Sequence, residues 1–406
     1  RSSAASDVYK RQELTYLYEI KQEHLFQEWS KWTNLLQKAF IQQITPYNTS
    51  FFQKQRSFLH LANLPIPTLK APSSIVERTN NNYTLGKSAL QENKVGLILL
   101  SGGQGTRLGF SGSKGCMPLP KLQNRTLFSI LLGKCLEFQK LFKVEPPIAI
   151  MTSYGNHHSI VRYLKNNNFF SLNSRQITVF PQESLPLLDK KMNWYMQSPA
   201  LVAVGPGGNG AAFSDGKSIL QDWKKRGIRW IQIIPIDNPL ATPFDPNLIG
   251  CHICHESDLV ILSIERDRQD KEVGLIGDSN GRVHIQEYMN THLSSDLAHA
   301  YLGIFSCDIE LALAWKSSFP WHPVKKKGMR YCLSGEQQCI DIWKLEKFLF
   351  DIFPLSNKYT LLLDKKENCF SPIKSVKGRY SLEVAQDYFL QWENIMRMNR
   401  VATRKR

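Results

Sequence analysis

Hydrophobic residues recur at two different spacings along the chain, and the spacing changes near residue 90. From Glu13 to Ile44 they recur at three- to five-residue steps, which places them along one face of a helix. A connection rich in Pro and Asn follows, from Pro65 to Tyr83. After Lys94, short apolar runs alternate with helical patterns, and a final helical pattern extends from Ser381 to Met396. The pattern predicts a helical N-terminal region, a domain of strands and helices, and a C-terminal helix.

The apolar runs after Lys94 have the length of buried strands, and helical patterns such as Leu127–Phe142 lie between them. Strands that alternate with helices indicate a mainly parallel sheet that is covered on both faces. We therefore predict an α/β fold with a mixed, mainly parallel, Rossmann-like sheet. The strand-like runs are Val95–Leu100, Pro147–Met151, Ile177–Phe180, Ile228–Ile236 and Leu259–Ile264. The predicted divisions are a disordered or non-native tail (1–12), a helical region (13–90), the Rossmann-like domain (91–375) and a short C-terminal helix with a basic tail (376–406).

The composition excludes a disordered chain and leaves the partner open. Apolar residues make up 42% of the 406 residues and aromatic residues 11%, which is enough for a large core. No apolar run reaches the ~18 residues that a membrane span needs, and no N-terminal stretch has the apolar centre of a signal peptide. We therefore expect a cytoplasmic protein. The net charge of +16 fits nucleic acid, an anionic membrane surface or a small polyanion such as a nucleoside triphosphate.

The strongest candidate site is a glycine-rich loop directly after the first strand. It reads Leu100-Ser101-Gly102-Gly103-Gln104-Gly105-Thr106-Arg107-Leu108-Gly109 and follows the carboxyl end of that strand, where open α/β sheets bind ligands. Its glycines allow a tight turn whose N–H groups can approach a phosphate. Arg107 adds a permanent cation with a fork of donors, and Lys114 adds a second positive charge. The loop predicts a phosphate-binding site.

Two common glycine-rich nucleotide loops do not fit this sequence. A P-loop needs Gly-Lys followed by Ser or Thr, whereas Lys114 is followed by Gly115. The dinucleotide fingerprint needs a glycine at its sixth position, where this chain has Leu108. The second strand also ends in Met151-Thr152-Ser153 rather than in an acidic residue. A glycine-rich turn that binds no ligand stays an alternative.

The loop resembles the signature of the type-1 UDP-sugar pyrophosphorylases, and Gln104 and Arg107 bring it nearest the UDP-N-acetylglucosamine pyrophosphorylase branch. The resemblance covers residues 94–374 and is weaker in the N-terminal helical part. Each of the supporting segments is weak alone, but together they follow the family's order. They are Phe180-Pro181-Gln182, Pro206-Gly207-Gly208-Asn209-Gly210, Asp237-Asn238, Val273-Gly274, Glu287-Tyr288, Lys344-Leu345-Glu346-Lys347-Phe348 and Phe370-Ser371-Pro372-Ile373-Lys374.

The resemblance implies a GT-A-like nucleotidyltransferase fold and a Mg²⁺-assisted reaction between UTP and a sugar 1-phosphate. A phosphate oxygen of the sugar would attack the α-phosphorus of UTP and expel pyrophosphate, which requires two anions held in line rather than a protein nucleophile. The resemblance implies neither a nucleic-acid nor a membrane partner. The most specific product that it implies is UDP-N-acetylglucosamine.

The resemblance also implies a role for individual residues. Gln182 would read the uracil edge, because a side-chain amide offers both a donor and an acceptor. Asp237 follows a predicted strand and would bind Mg²⁺. The implied catalytic residues are Arg107, Lys114 and Lys374, and the implied sugar contacts are Asn209, Glu287 and Tyr288. The implied nucleotide contacts are Leu100, Ser101, Gly102, Gly103, Gln182, Gly208, Asp237 and Lys344.

Three departures from the family pattern keep other functions open. Gly207 stands where the family has Asp, Ala211 stands where Gly is usual, and Gly303 lies in a segment where the family carries Asn. The missing Asn leaves a UDP-glucose or broad-specificity UDP-sugar pyrophosphorylase as an alternative. Gly207 leaves a non-catalytic nucleotide-binding descendant open. The positive charge leaves a nucleic-acid-binding protein open.

Overall fold

The computed structural model describes residues 14–61, 68–267, 270, 272–287, 297–316 and 319–404. The chain forms two compact units, each built from segments that are distant in sequence. The hairpin unit comprises Arg1–Ile66, Glu183–Gly208 and Ser318–Phe348, and the sheet unit comprises Pro67–Gln182, Asn209–Ser317 and Leu349–Arg406. The predicted 91–375 span contributes to both units, and the boundaries predicted at 12, 90 and 375 stay predictions.

The strands are numbered along the described chain. They are β1 Ile75–Glu77, β2 Val95–Leu100, β3 Pro118–Leu119, β4 Arg125–Thr126, β5 Ile148–Ser153, β6 Ile177–Gln182, β7 Ser184–Pro186, β8 Leu188–Asp189, β9 Met196–Ser198, β10 Leu201–Val202, β11 Val204–Pro206, β12 Trp230–Pro235, β13 Leu259–Glu265, β14 Gly274–Ser279, β15 Arg282–Gln286, β16 His299–Asp308, β17 His322–Tyr331, β18 Gln337–Glu346 and β19 Tyr359–Leu363.

The sheet unit is organised around one large mixed sheet. Its strands lie in the order β1-β19-β13-β16-β12-β2-β5-β6, with β14 beside β16 and β15 beside β14. The pairs β12–β2, β2–β5 and β5–β6 are parallel, as are β13–β19 and β1–β19, whereas β16 is antiparallel to both β12 and β13. Because β2, β5 and β12 are buried along nearly their whole length, they form apolar runs without alternation. The predicted mixed, mainly parallel α/β fold is confirmed.

Helices lie between most of these strands. The predicted helix Leu127–Phe142 is confirmed, and Thr126 caps its first turn by accepting a hydrogen bond from the Ser129 N–H. None of the described helices is long and apolar enough to span a bilayer. Residues 14–19 are helical, and the other α-helices are Asn34–Ile44, Thr49–Leu61, Asn80–Gln91, Leu127–Phe142, His157–Asn166, Ala211–Ser214, Lys217–Lys225, Pro246–Cys254, Ile309–Leu313, Lys366–Cys369 and Leu382–Arg404.

The N-terminal part differs from the single helical run that its pattern predicts. A left-handed Lys21, with φ of 57°, follows the first helical turns, and two short 3-10 helices come next, Glu23–Phe26 and Trp29–Lys31. The α-helix Asn34–Ile44 then starts at Thr33, whose hydroxyl accepts a hydrogen bond from the Leu36 N–H. The hydrophobic spacing continues across these breaks because the helical turns, the 3-10 helices and the α-helix all pack on the same core.

Trp194 lies at the centre of the core of the hairpin unit and is fully buried. Its indole N–H donates to Gln55 Oε1 at 2.7 Å, and its ring meets Phe52 edge to face at 5.2 Å. The backbone N–H of Trp194 donates to Gln22 Oε1 at 2.9 Å. Buried amide side chains from two N-terminal segments therefore accept both N–H groups of this tryptophan. In the same unit, β17 and β18 form a long antiparallel hairpin.

A second difference is the helix Asn80–Gln91, which the Asn-rich sequence suggested was part of a connection. Thr79 starts this helix, since its hydroxyl accepts a hydrogen bond from the Asn82 N–H at 3.0 Å. The helix packs closely on Pro246–Cys254 in the sheet unit. A Cβ atom on Gly86 would lie 1.8 Å from the Pro246 carbonyl oxygen, and one on Gly250 would lie 1.8 Å from the backbone carbonyl oxygen of Asn82. Glycine on both helices allows this contact.

We expect Gly86→Ala to destabilise the protein by about 2 kcal/mol or more, because backbone blocks the added methyl group. Gly133→Ala is the matched control. Gly133 also lies inside a helix, but a Cβ there meets nothing within 4 Å, so alanine should stabilise by about 0.5–1 kcal/mol. Urea unfolding of the three proteins measures both changes. Equal stabilities of the two variants would contradict the proposed close packing of the helices.

Candidate active site

The predicted phosphate loop begins where β2 ends, between two parallel neighbours. Leu100 accepts a hydrogen bond from the Ile236 N–H at 3.1 Å, just beyond β12. The Ser101 N–H donates to the Met151 carbonyl oxygen of β5 at 2.7 Å, and Ser101 is fully buried. The register of the sheet therefore brings the carboxyl ends of β2, β5 and β12 to one edge.

Gly102 lies directly against Gln182, the last residue of β6. A Cβ atom on Gly102 would lie 2.0 Å from Gln182 Nε2, so only glycine accommodates the amide in this position. Gln182 is 6% exposed. The structure thus brings together two residues that the sequence assigned separately to nucleotide binding. Gly103, by contrast, is exposed, and a Cβ there meets nothing within 4 Å.

The rest of the loop folds back on itself. The Gly105 N–H donates to the Gly112 carbonyl oxygen at 2.7 Å, and the Lys114 N–H donates to the Gly103 oxygen at 3.2 Å. Arg107 lies in the 3-10 turn Thr106–Leu108 and is exposed. Its guanidinium makes no hydrogen bond or ion pair with any residue that the structure describes. All five of its donors are therefore available to an anion.

Lys114 connects the loop to two other segments. Its Nζ donates to Asp237 Oδ2 at 3.2 Å and to the Ile373 carbonyl oxygen at 2.9 Å. The Ile373 N–H in turn donates to the Asp237 carbonyl oxygen at 2.9 Å. The side chains of Lys114 and Asp237 are 16% and 23% exposed, so water reaches both groups only in part. The structure thus places two of the predicted site residues in direct contact.

Lys374 is the next residue of the same segment. Its Nζ donates to the Glu272 carbonyl oxygen at 2.9 Å. Burial lowers the pKa of Lys374 below its usual value, and the charge of Lys114 also lowers it, whereas the nearby Asp237 raises it. The two lysines and the aspartate therefore share one electrostatic environment. The three predicted residues come from distant parts of the sequence and meet only in the folded chain.

Asn238 fixes the segment that carries Lys374. This side chain is fully buried, and its Nδ2 donates to the Cys369 carbonyl oxygen at 2.7 Å. Its Oδ1 accepts hydrogen bonds from the N–H groups of Leu240 at 3.2 Å and Ser371 at 3.1 Å. Asn238 therefore satisfies three backbone groups and holds residues 369–371 beside the end of β12.

Asn156 is a site residue that the sequence analysis missed. It is 2% exposed; its Oδ1 accepts the Ser153 N–H at 2.7 Å, and its Nδ2 donates to the Ser101 carbonyl oxygen at 3.2 Å. The side chain therefore joins the ends of β5 and β2 just beneath the glycine loop. An Asn three residues after a predicted strand was the available signal, because this residue type often binds nearby backbone groups.

The structure describes two of the three predicted sugar-binding residues. Asn209 Oδ1 accepts the Leu349 N–H at 2.9 Å, so its oxygen already serves a backbone contact. Glu287 follows β15, and its charge adds to the burial that raises the pKa of Tyr301 above its usual value. Tyr288 lies outside the described residues. The roles of these three residues stay predictions.

Gly208 and Lys344 belong to the hairpin unit. Gly208 has φ of 98°, and a Cβ there would lie 2.4 Å from the Lys347 carbonyl oxygen, so its local backbone requires glycine without any ligand. Lys344 Nζ donates to Glu346 Oε1 at 2.6 Å, and its side chain is 13% exposed. The ammonium group is thus paired with a carboxylate. Both nucleotide-binding roles stay predictions.

The residues near Asp237 allow a weakly held magnesium ion. Among the described residues, no three His, Cys, Asp or Glu side chains cluster as a metal site. A single carboxylate still fits Mg²⁺, which usually keeps several waters and binds one or two carboxylates together with substrate phosphates. The Lys114–Asp237 pair would have to rearrange around such an ion. These donors fit an ion that arrives with a phosphate ligand.

The sequence is similar to known sugar-nucleotide enzymes. The model of the family described as UTP–glucose-1-phosphate uridylyltransferase matches residues 48–298. The UDP-N-acetylglucosamine pyrophosphorylase of Saccharomyces cerevisiae is 31% identical over 351 residues, which cover 77% of this chain and 72% of that protein. The UDP-N-acetylglucosamine diphosphorylase 2 of Arabidopsis thaliana is 29% identical, and the match covers 80% of this chain and 71% of that protein.

Solved structures show the same fold. The UDP-N-acetylglucosamine pyrophosphorylase of Trypanosoma brucei, crystallised with an inhibitor, matches with a TM-score of 0.80 at 23% identity, covering 95% of this chain and 84% of that one. The UDP-glucose phosphorylase of the same organism matches with a TM-score of 0.64 at 16% identity, covering 80% of this chain and 72% of that one. These structural likenesses establish a UDP-sugar pyrophosphorylase fold for this chain.

We expect Asn156→Ala to loosen the glycine loop, because it leaves the Ser153 N–H and the Ser101 carbonyl oxygen buried without this partner. The cost should be about 1–3 kcal/mol. Amide hydrogen exchange should accelerate at residues 101–105 and at Ser153. Asn167→Ala is the control, because it removes one exposed hydrogen bond to Tyr163 at the far end of the same helix. Unchanged exchange in the loop of the Asn156 variant would contradict its role.

Proposed function

Because the chain belongs to the UTP–glucose-1-phosphate uridylyltransferase family, we propose that it forms UDP-N-acetylglucosamine and pyrophosphate from UTP and N-acetylglucosamine 1-phosphate. Membership of this family makes the chain a nucleotidyltransferase. Its relatives in yeast and Arabidopsis carry UDP-N-acetylglucosamine names, which supports the acetamido sugar over glucose. We further propose that the protein acts in the cytoplasm.

One observation carries the proposal: cationic groups gather at the carboxyl edge of the sheet. Lys114 and Lys374 share the surroundings of Asp237, and Arg107 on the same loop as Lys114 has no partner among the described residues. Lys374 is partly buried, so an anion that completes its surroundings stabilises its charge, whereas the exposed Arg107 offers its donors without a desolvation cost. Two phosphorylated substrates together would supply such anions.

The reaction would proceed by in-line transfer between these groups. A phosphate oxygen of the sugar 1-phosphate forms a bond to the α-phosphorus of UTP, while the bond from that phosphorus to the bridging oxygen of pyrophosphate breaks. Both substrates are anionic and repel each other, so the protein must hold them together and offset their charge. In this scheme Lys374 binds the sugar phosphate, and Arg107 and Lys114 bind the UTP phosphates.

The uracil would lie beside Gly102. Gln182 is nearly buried there, and its amide can donate to one uracil oxygen and accept from the ring N–H. Gly103 leaves open space on the neighbouring position for the nucleotide. Under the same proposal, Gly208 and Lys344 contact the nucleotide, and Asn209, Glu287 and Tyr288 contact the sugar. The roles of these five residues rest on the family resemblance.

We propose Mg²⁺ as the cofactor, with Asp237 as its protein ligand. A bound magnesium ion offsets the charge of phosphate oxygens and favours departure of pyrophosphate. Lys114 would then turn from Asp237 towards the phosphates, because the same carboxylate cannot fully satisfy both cations. Its second contact, with the Ile373 carbonyl oxygen, can hold the side chain in place meanwhile.

A second candidate, a UDP-sugar pyrophosphorylase of broad specificity, is favoured by Gly303. This residue has φ of 74°, a left-handed conformation that Asn can also adopt, so glycine here is a local change in side chain rather than in backbone. A Cβ at this position would approach only Pro235 Cγ, at 3.7 Å. Loss of an amide at this position would remove a polar contact that a sugar substituent could use.

The direct test incubates the purified protein with Mg²⁺, UTP and a panel of sugar 1-phosphates, and measures pyrophosphate. We expect release with N-acetylglucosamine 1-phosphate and a lower kcat/KM with glucose 1-phosphate. Comparable values for both sugars would favour the broad-specificity enzyme. No release with any sugar would reject both enzymatic functions, and salt-sensitive binding of RNA or DNA in that case would favour the nucleic-acid alternative.

We expect Arg107→Ala to lower kcat by about 100-fold or more, if its donors bind charge that develops on the leaving pyrophosphate. Arg107→Lys keeps the charge but loses the fork of donors, so its loss should be smaller. Arg162→Ala removes another exposed arginine of the sheet unit and serves as the control. Steady-state pyrophosphate release measures all three. Equal turnover of the Arg107→Ala variant and the parent would defeat the assignment.

A further inference from the structure

Tyr380 is buried beside Lys374 and contacts both its backbone and its side chain. Tyr380 is 2% exposed, and its carbonyl oxygen accepts the Lys374 N–H at 2.8 Å. Lys374 Nζ lies 5.0 Å from the centroid of the Tyr380 ring, within the range of a cation–π contact. Phe370 meets the same ring edge to face at 5.6 Å. The aromatic ring is therefore a fixed surface next to the ammonium group.

The phenol of Tyr380 closes a ring of contacts around the same lysine. Its O–H donates to Asp270 Oδ2, and Asp270 is 5% exposed. Asp270 Oδ1 accepts the Glu272 N–H at 3.0 Å. The carbonyl oxygen of Glu272 accepts the hydrogen bond from Lys374 Nζ at 2.9 Å. Tyr380 thus holds the lysine on one side and the lysine's acceptor on the other.

The protonation state of Tyr380 stabilises this ring of hydrogen bonds. Burial, followed by the hydrogen bond to Asp270, raises the pKa of Tyr380 above its usual value, so the phenol keeps its proton and remains a donor. Arg379 pairs with Asp267, and its guanidinium lies 4.0 Å from Asp270 Oδ2. Loss of the phenol oxygen alone therefore leaves Asp270 with a second partner. A variant without this oxygen should still fold.

We propose that Tyr380 is a positioning residue for the sugar 1-phosphate: through Asp270 and Glu272 it fixes the direction in which the Lys374 ammonium points. This inference rests on the proposed function, in which Lys374 binds the phosphate of that substrate. A mobile ammonium would contact the phosphate in only part of the population, and a displacement of about 1 Å can cost a rate factor of about 100. In the proposed scheme the effect is specific to one substrate, because Lys374 binds the sugar phosphate whereas Arg107 and Lys114 bind the UTP phosphates.

The test is a double-mutant cycle between Tyr380→Phe and Lys374→Ala, with pyrophosphate release measured against each substrate in turn. Tyr380→Phe keeps the ring and removes the bond to Asp270. We expect it to raise the KM for the sugar 1-phosphate by about tenfold, while the KM for UTP changes less than about twofold. In the Lys374→Ala background, Tyr380→Phe should change the kinetics less than about twofold, because its target side chain is gone.

Tyr359→Phe is the matched control. Tyr359 is 5% exposed, and its O–H donates to Asp278 Oδ2 at 2.6 Å, so the variant also removes a Tyr–Asp bond from the sheet unit. Tyr359→Phe should lower the melting temperature by about as much as Tyr380→Phe does. It should leave the KM for both substrates unchanged. Asp270→Ala removes both carboxylate oxygens from the same ring of contacts and should act in the same direction as Tyr380→Phe.

A readout without turnover separates this inference from the proposed function. In protein labelled with ¹³C-lysine, the Lys374 ε-methylene signal is assigned by its loss in Lys374→Ala. Because this group lies near the aromatic ring of residue 380, a change in the direction of the lysine side chain alters its proton chemical shift. The chemical shift should therefore change in Tyr380→Phe and remain unchanged in Tyr359→Phe. An unmoved signal, an unchanged KM for the sugar phosphate, or additive effects in the cycle would each overturn the inference. Absence of pyrophosphate release by the parent, with a moved signal, would reject only the proposed function.

Discussion

The hydrogen-bond register of the central sheet is the constraint on which the candidate site depends. Because Leu100 pairs with Pro235 on one side and with Met151 on the other, β2, β12 and β5 end at the same level. Ser153 pairs with Gln182 one strand further along, which brings the amide to the same edge. A shift of one residue in any of these strands would turn its side chains to the other face of the sheet. The glycine loop, Gln182 and Asp237 would then no longer meet.

The cations at this edge have different surroundings, and the differences fit the different roles that we propose for them. Arg107 is exposed and has no partner among the described residues, so it can bind an incoming phosphate at little cost. Lys114 is held by a carboxylate and a carbonyl oxygen, so it is oriented before any ligand arrives. Lys374 is half-buried and lies against an aromatic ring. In the hairpin unit, by contrast, Lys344 is neutralised by Glu346 and must break that pair to bind an anion.

Close approach, rather than flexibility, explains the glycines that matter most. Gly102 leaves room for the Gln182 amide, and Gly208 leaves room for the backbone of Lys347. The pair Gly86 and Gly250 does the same for two packed helices. A glycine-rich sequence therefore combines glycines required by packing with glycines that could serve a ligand, and only the tertiary structure separates the two groups. Gly208 illustrates the point, because packing alone accounts for it and its role towards a ligand stays a prediction.

The sequence by itself determined the fold class, five of the ten described strands of the central sheet and the position of the glycine loop after the first of those five. Buried parallel strands leave continuous apolar runs, and a phosphate loop needs glycine and arginine at neighbouring positions, so both signals are local. The sequence failed where local pattern and tertiary contact diverge. The N-terminal run breaks at Lys21 and Thr33 although its hydrophobic spacing continues, and the Asn-rich segment at residue 80 forms a helix once Thr79 caps it. Only the tertiary structure placed Asn156 beneath the loop and Tyr380 beside Lys374, because each contact joins segments whose separation in sequence carries no periodic signal.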